Sequence, residues 1–345
     1  MRDLRLLPKA HLHVHFTGSM RPSTVADLAR QHGIRLPEGV TTDAPLRLPA
    51  TSRGWFRFQR LYDAARACVR SEADMRRVVS EVIADDAAEG SRRLELQVDP
   101  TSYAPFVGGI TPALEIVMDE ARTAGRAMGV SVGIVVASSR MRHQLEARTL
   151  ARLAVKYAGD ADGDVMGFGL SNDERRGRTS EFAYAFRMAR DAGLASLPHG
   201  GELLGADHVE VVLDQLHPDR LGHGVRIVED QRVLDRVASA GIACEVNPAS
   251  NVSLGVYQDD AHVPLRTLVD AGVRVALGAD DPLLFKSRLV AQYEAARNVH
   301  GFTDPELAQL ARDSLLASRA PRSVIDAALV DIDEWLMSPP EPSDS

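Results

Sequence analysis

The run His11-Leu12-His13-Val14-His15 places three histidines at alternate positions near the start of the chain. On a β-strand, side chains two residues apart point to the same face, so the imidazoles of His13 and His15 can converge on one metal ion. These two lie nearer the carboxyl end of the predicted strand, whereas we expect His11 to lie deeper, as a hydrogen-bonded core residue. The spacing therefore predicts the first half of a metal site.

Five further residues with ligating or acid–base side chains follow short apolar runs later in the chain: His199, Glu202, His223, Asp280 and Asp281. Each has an ordinary structural explanation when it is taken alone. The helix dipole favours a glutamate in a first helical turn, glycines around a histidine mark a tight turn, and an aspartate before a proline can cap a helix. Together, three histidines and one carboxylate are a ligand set suited to zinc that leaves room for a water molecule.

Short β-branched runs alternate with longer helical patterns along almost the whole chain. The predicted strands cover residues 10–16, 93–98, 131–137, 165–170, 195–199, 220–223, 243–246 and 273–277, and the main predicted helices cover 72–89, 112–128, 145–157, 180–192, 229–240 and 263–271. This alternation predicts an α/β fold with parallel strands and outer helices, and eight strands favour a (β/α)8 TIM-type barrel. An open nucleotide-binding sheet is the alternative, but no GxGxxG or GxxxxGK[ST] motif follows the first strand.

The barrel prediction gives the candidate residues a common location. Active sites of such barrels lie at the carboxyl ends of the strands, and the histidines and acids fall at the ends of the predicted first, fifth, sixth and eighth strands. Their joint placement favours an active site over four unrelated structural roles. Residues 36–63 form a long insertion after the first strand and helix, with the aromatic residues Trp55, Phe56, Phe58 and Tyr62 close together. We expect this segment to pack on the barrel mouth or to act as a lid over an apolar pocket.

The composition limits the possible partners and locations. Of the 345 residues 45% are hydrophobic, and the formal charge of −8 repels phosphate backbones, so no nucleic-acid partner is expected. The two cysteines form neither a disulfide framework nor a thiolate zinc site. Neither a signal peptide nor a membrane-spanning run is predicted, so we expect a cytoplasmic protein without a membrane partner. We predict one domain over residues 1–338 and a disordered tail, 339–345, rich in proline, serine and acid.

In these motifs the sequence resembles the adenosine deaminase family of the metal-dependent amidohydrolase superfamily. The run KAHLHVHFTGS is similar to the family's first-strand HxH signature with its glycine, and HGGE, LGHG and GADDP are similar to its later motifs. The matches occur in order from about residue 7 to residue 285, at intervals like those of the family. The resemblance implies one zinc ion per chain, with the ligands His13, His15, His199 and Asp280.

The resemblance also implies how the remaining site residues act. Glu202 would donate a proton to purine N1, which makes C6 electrophilic, and His223 would orient the attacking water. Asp281 would contact N7, and because N7 accepts hydrogen bonds the Asp281 carboxyl would have to be protonated. A zinc ion lowers the pKa of a bound water to about 7 and so supplies a nucleophile.

Three positions depart from the pattern of adenosine-specific members. Thr17 stands where those members carry an acid that binds the ribose 5′-hydroxyl, and Asn172 replaces a glycine in the segment that contacts the N3 side of the purine. Gln97 stands where an arginine often follows the glutamate of the second strand. The residues for the ring chemistry are thus intact, whereas the sugar-side recognition, including Thr17 and Asn172, is altered.

We therefore expect zinc-dependent hydrolytic deamination of a 6-aminopurine nucleoside, adenosine or adenosine-like, to the 6-oxopurine and ammonia. One alternative is a 5′-modified nucleoside such as 6-aminodeoxyfutalosine of the menaquinone route, whose carboxylate Arg53, Arg57 or Arg60 would meet. Free adenine is another. The competing class is a catalytically dead, purine-binding relic, but such a protein is expected to have lost a ligand or Glu202, and none is missing.

Overall fold

Eight parallel strands form the centre of the computed structural model, which describes residues 1–339. Each strand pairs with its neighbours in chain order. The strands are β1 (Lys9–His15), β2 (Ser91–Val98), β3 (Ser131–Ser139), β4 (Val165–Ser171), β5 (Ala195–Gly200), β6 (Arg220–His223), β7 (Ala243–Val246) and β8 (Val275–Leu277). All eight predicted strands are confirmed, although β8 begins two residues later than expected. The (β/α)8 barrel is therefore the fold of this chain.

The barrel closes where the end of β1 meets the end of β8. The N–H of Asp280 donates to the carbonyl of His13, and the N–H of His15 donates to the carbonyl of Asp280. Both hydrogen bonds have a donor–acceptor distance of 3.0 Å. To reach both partners Asp280 adopts a φ of 59°, in the left-handed region that aspartate tolerates better than most residues. The predicted metal ligands thus also make the backbone contacts that close the barrel.

Helices connect the strands and cover the outside of the barrel. They are α1 (Pro22–Gln31), α2 (Glu38–Thr41), α3 (Ser52–Arg66), α4 (Glu72–Ala88), α5 (Ala104–Val107), α6 (Ile110–Met128), α7 (Gln144–Lys156), α8 (Thr179–Asp191), α9 (Ala206–Leu216), α10 (Gln231–Ser239), α11 (Pro248–Ser253), α12 (Leu265–Asp270), α13 (Pro282–Phe285), α14 (Leu289–Asn298), α15 (Asp304–Ala317) and α16 (Arg322–Met337). The six main predicted helices correspond to α4, α6, α7, α8, α10 and α12, with ends shifted by one or two residues.

The insertion at residues 36–63 contains α2 and most of α3. The hydroxyl of Thr51 caps α3 by accepting from the N–H of Gly54 at 3.2 Å. Helical spacing brings Trp55, Phe58 and Tyr62 to one face, which lines the cavity at the barrel mouth. The insertion therefore packs on the barrel mouth, and its movement as a lid stays a prediction.

A network of buried charges crosses the interior of the barrel below the predicted ligands. The guanidinium of Arg220 on β6 donates to Glu245 on β7 at 2.6 Å and to Glu95 on β2 at 2.5 Å. Arg93 contributes a further hydrogen bond to Glu95 at 3.2 Å, and these side chains are almost completely buried. Because every charge has an opposite partner, the network fixes three strands relative to one another.

The predicted disordered tail at residues 339–345 lies, except for Pro339, outside the described residues. Within residues 1–339, none of the helices has both the length and the apolar character needed to cross a membrane.

Replacing Arg220 with methionine should strongly destabilise the protein, because Glu95 and Glu245 would remain buried without their shared cation. Removing one partner of a buried ion pair costs about 3–5 kcal/mol. The free energy of unfolding, measured by urea denaturation, checks this value. The exposed Arg322, which pairs with Asp326 at 2.8 Å, provides the control, and Arg322→Met should cost at most about 1 kcal/mol. Similar losses in the two variants would contradict the importance of the buried network.

Candidate active site

The side chains of His13, His15 and Asp280 meet at the carboxyl ends of β1 and β8. Nε2 of His15 lies 3.2 Å, and Nε2 of His13 3.6 Å, from Oδ1 of Asp280. The hydroxyl of Ser250 donates to Oδ2 of the same carboxylate at 2.6 Å. One ligand atom from each of the first three residues lies within 4.8 Å of the other two, so a single cation could contact all three.

Two more histidines reach the same point from β5 and β6. His199 and His223 form with His13 a second group whose ligand atoms lie within 4.8 Å of one another, and Glu202, His223 and Asp280 form a third. The ring centroids of His15 and His199 are 5.3 Å apart. The structure therefore brings together the four predicted zinc ligands and the predicted catalytic residues Glu202 and His223.

His13 is held with one nitrogen available to a cation. Its Nδ1 donates to Oε2 of Glu245 at 2.7 Å, and its Nε2 is buried without a hydrogen-bond partner among the described residues. Burial alone would raise the pKa of Glu245, but the charge of Arg220 and the hydrogen bond from His13 lower this pKa to about 2. A carboxylate–histidine pair of this kind orients metal-ligating histidines.

His223 is oriented by two asparagines at the end of β7. Its Nδ1 accepts from the amide of Asn251 at 3.2 Å and from that of Asn247 at 3.4 Å. The same amide group of Asn247 donates to the carbonyl of Glu245 at 3.1 Å, which fixes its orientation. Burial lowers the pKa of His223 to about 3, so the ring is neutral and carries its proton on Nε2. This nitrogen faces the cavity and lies 3.7 Å from Oε1 of Glu202.

Glu202 and Asp281 are buried carboxyl groups on the cavity wall. Burial, followed by the charge of Asp280, raises the pKa of both groups well above the ordinary range. Oδ1 of Asp281 has no hydrogen-bond partner among residues 1–339. A Cβ atom at Gly18 would come within 1.7 Å of this oxygen, so the glycine of the first motif provides the space that Asp281 occupies.

His11 lies below the cluster and supports β8. Its Nδ1 lies 3.0 Å from a carboxylate oxygen of Asp86 on α4, and its Nε2 accepts from the N–H of Ala279 at 3.1 Å. The residue is buried, as expected for a hydrogen-bonded core histidine. This contact fixes the backbone immediately before Asp280.

The cavity above the cluster has a volume of about 360 Å³ and contains the three residues that depart from the adenosine-specific pattern. Thr17 forms a hydrogen bond of 2.5 Å with the hydroxyl of Tyr103. Asn172 has a φ of 79°, a conformation that suits the glycine found in the family and that asparagine tolerates. Its Oδ1 accepts from the indole of Trp55 at 3.3 Å, which ties α3 to the end of β4. Gln97 has a buried Oε1 without a hydrogen-bond partner among the described residues.

The three arginines expected to meet a 5′-carboxylate do not line this cavity. Arg53, Arg57 and Arg60 are exposed, because they lie on the face of α3 opposite the aromatic residues that line the cavity. Those aromatic residues are Trp55, Phe58 and Tyr62. The arginines that line the cavity are Arg66 and Arg142. The expectation for Arg53, Arg57 and Arg60 is therefore wrong, because the aromatic stripe sets the rotation of α3.

Several supporting residues were not identified from the sequence. Glu245 and Arg220 carried a usable signal, since a charge inside a short parallel strand is unusual and suggests a buried partner. The sequence around Tyr103 and Asn251 gave no such indication, because Tyr103 lies in the segment after β2 and Asn251 in the short helix α11, neither of which has a repeating pattern. Glu174, whose carboxylate accepts from the backbone N–H of Glu202, lies in the same connection as Asn172, and no spacing in the sequence predicts this contact.

Comparisons with known proteins show the family of this chain. Residues 8–335 match the model of the adenosine deaminase family. A Streptomyces virginiae protein named as an adenosine/adenine deaminase is 59% identical over 97% of this chain and 98% of its own. The crystal structure of an adenine deaminase from Arthrobacter aurescens superposes with a TM-score of 0.87, at 28% identity over 96% of this chain and 99% of that one.

A zinc-bound amidohydrolase from Burkholderia ambifaria has the same fold, with a TM-score of 0.84 at 24% identity over 97% of this chain and 93% of that one. The family match covers almost the whole chain, including every strand of the barrel and every residue of the cluster. The chain therefore belongs to the adenosine deaminase family, and it is a hydrolytic deaminase that acts on C–N bonds.

Proposed function

We propose that this protein deaminates a 6-aminopurine by zinc-dependent hydrolysis. In the overall reaction, water adds at C6, the amino group leaves as ammonia, and a 6-oxopurine is formed. The observation that carries the proposal is the position of one buried carboxyl group, Glu202, beside a cluster of three histidines and one aspartate. This arrangement combines a metal site with a proton donor in the same cavity.

The donor set fits zinc. His13, His15, His199 and Asp280 would hold the ion, because zinc favours imidazole and carboxylate ligands in a four-coordinate site. The unpaired Nε2 of His13 and the Glu245 carboxylate behind its ring are what a ligating histidine requires. When bound, zinc acts as a Lewis acid that makes water nucleophilic at neutral pH.

The carboxyl groups of Glu202 and Asp281 on the cavity wall would donate protons to the purine ring. Glu202, kept protonated by burial, would donate to N1 of the purine and so draw electron density away from C6. Asp281, whose Oδ1 lacks a partner among the described residues, would donate to N7 and fix the orientation of the ring. The N–H of His223 would hold the attacking water by donation, since its other nitrogen already accepts from Asn251.

Two substrate classes fit the remainder of the cavity. A volume of about 360 Å³ is within the range of pockets that bury a whole drug-sized ligand, roughly 300–1,000 Å³, and therefore favours a nucleoside. Free adenine is the second candidate, because Thr17 supplies no carboxylate to a sugar hydroxyl and already bonds to Tyr103. A 5′-anionic nucleoside would have to use Arg66 or Arg142.

Glu202→Gln should abolish turnover while leaving zinc bound, because the amide keeps the shape of the side chain but cannot donate an acidic proton. We expect kcat to fall by at least about 100-fold, the lower end of what a general acid contributes. Ultraviolet spectra would follow conversion of the 6-aminopurine, and metal analysis would follow zinc. Retained activity would remove Glu202 from the mechanism. A wild-type protein that binds little zinc and converts no 6-aminopurine would instead be a purine-binding relic.

Gly18→Ala should displace the Asp281 side chain, since the new methyl group would overlap its carboxyl oxygen. A misplacement of about 1 Å in an active site costs roughly 100-fold in rate, so we expect a loss of that order in kcat/KM. Gly301→Ala is the control: nothing lies within 4 Å of its added Cβ, although the positive φ of Gly301, 67°, makes the substitution strained. The control should lose some stability but keep its kcat/KM. Equal activity in both variants would contradict the role of Asp281.

A panel of adenine, adenosine and a 5′-carboxylated adenosine separates the substrate classes. The proposal expects the highest kcat/KM for adenosine, since the cavity extends well beyond the cluster. A preference for adenine would make Thr17 and Tyr103 a barrier to the sugar. A preference for the carboxylated compound that is lost in Arg66→Met would assign its recognition to Arg66.

A further inference from the structure

His199 lies at the end of β5 and Glu202 lies in the turn between β5 and α9, and two buried charges contact the backbone of this segment. The first is Glu174, in the connection between β4 and α8. Its carboxylate accepts from the N–H groups of Glu202 at 3.2 Å, Leu203 at 2.7 Å and Leu204 at 2.8 Å. Three backbone amides thus point at one buried carboxylate.

The second charge is Arg140, which follows β3. Its guanidinium donates to the carbonyl of His199 at 2.8 Å and to the hydroxyl of Thr179 at 3.0 Å. Arg140 is buried and forms no ion pair within 4.0 Å among the described residues. An arginine keeps its charge in proteins. The hydrogen bonds of Arg140 go to a neutral carbonyl and a hydroxyl, and the Glu174 carboxylate attracts its charge from beyond 4.0 Å.

The two charges match the polarity of the backbone that each one contacts. The cation contacts a carbonyl oxygen where the turn begins, and the anion contacts N–H groups where it ends. Hydrogen bonds to charged groups are stronger and shorter than those between neutral groups. Arg140 follows β3 and Glu174 follows β4, so the two residues fix the backbone after β5 relative to these two strands.

We propose that Glu174 and Arg140 are positioning residues, with Glu174 setting the place of the Glu202 carboxyl and Arg140 setting the place of the His199 imidazole. The inference rests on the proposed roles of these two residues as proton donor and metal ligand. Neither positioning residue contacts the reacting atoms. Arg140 acts through the backbone carbonyl of His199. Glu174 acts through the backbone N–H of Glu202 and those of the next two residues.

Loss of Glu174 and loss of Arg140 should have different effects on the enzyme. Without the Glu174 carboxylate, three amides lose their acceptor and the turn must shift to find new ones. The carboxyl of Glu202 would then move relative to the purine, which lowers kcat more than it raises KM. Without Arg140, the carbonyl of His199 loses a charged donor. The His199 imidazole would then be less well positioned, so the affinity for zinc should decrease.

The experiment compares Glu174→Ala, Glu174→Gln and Arg140→Met with the wild-type zinc protein. For Glu174→Ala we expect kcat to fall by about 100-fold, with KM changed by less than about threefold and zinc affinity unchanged. Glu174→Gln should recover much of this loss, since an amide oxygen in place of Oε2 still accepts from Leu203 and Leu204. For Arg140→Met, chelator competition should show zinc affinity reduced by about 10–100-fold.

Asp74→Asn is the matched control for a general loss of stability. Asp74 is also buried and also accepts from a backbone N–H, that of Arg70 at 2.9 Å, but it lies at the start of α4, outside the cavity wall. This variant should lower the melting temperature and leave kcat and zinc affinity unchanged. A kcat equal to wild type in Glu174→Ala would overturn the role of Glu174. If Glu174→Ala does not fold, amide hydrogen exchange at residues 202–204 in Glu174→Gln decides, and exchange unchanged from wild type would overturn this role. Unchanged zinc affinity in Arg140→Met would overturn the role of Arg140.

Failure of the proposed function would be seen separately. If the wild-type protein converts no 6-aminopurine, hydrogen exchange of the amides at residues 202–204 still tests the contact. We expect faster exchange in Glu174→Gln than in wild type, and no change in Asp74→Asn. Unchanged exchange in the Glu174 variant would overturn the positioning role whatever the substrate.

Discussion

Closure of the barrel and assembly of the site depend on the same backbone contacts. The N–H and carbonyl of Asp280 pair with the backbone of His13 and His15, so the seam between the first and last strands cannot form without bringing the side chains of these three proposed ligands together. The cost is a left-handed conformation at Asp280. The hydrogen bond from Ala279 to His11 supports that conformation from below.

Buried charge supports this seam from within the barrel. The order of contacts runs from His13 to Glu245, then to Arg220 and Glu95, with each link a hydrogen bond between opposite or complementary groups. A buried polar network is favourable only when its members are satisfied, and such a network then specifies one arrangement of the strands. The orientation of the His13 ring is therefore set by residues on β7, β6 and β2.

Sequence reasoning predicted the fold and the central cluster because both depend on repeated local signals. His13, His199 and Asp280 lie near the carboxyl ends of β1, β5 and β8, and the barrel topology places all these ends on one face. The partners of these residues depend instead on register and on loop conformation, which a single sequence does not specify. Glu245 could have been noted as a charge in a strand, but its pairing with His13 required the observed strand order. Tyr103 and Asn251 reach the site from connecting segments and carry no pattern.

The error at α3 had a different cause. Arg53, Arg57 and Arg60 were considered by residue type, without the rotation of the helix that carries them. The aromatic residues Trp55, Phe58 and Tyr62 recur at helical spacing, and their burial against the barrel mouth turns these arginines towards solvent.

The sequence separation between the first and last ligands has a consequence for how the protein is made. His13 and His15 emerge from the ribosome long before Asp280, because seven of the eight barrel strands are synthesised between them and Asp280. A nascent chain therefore exposes the paired histidines long before it can enclose an ion. If these residues hold zinc as proposed, stable binding of the ion must wait for Asp280, so a zinc-loaded protein would be one whose synthesis has passed β8 and whose barrel has closed.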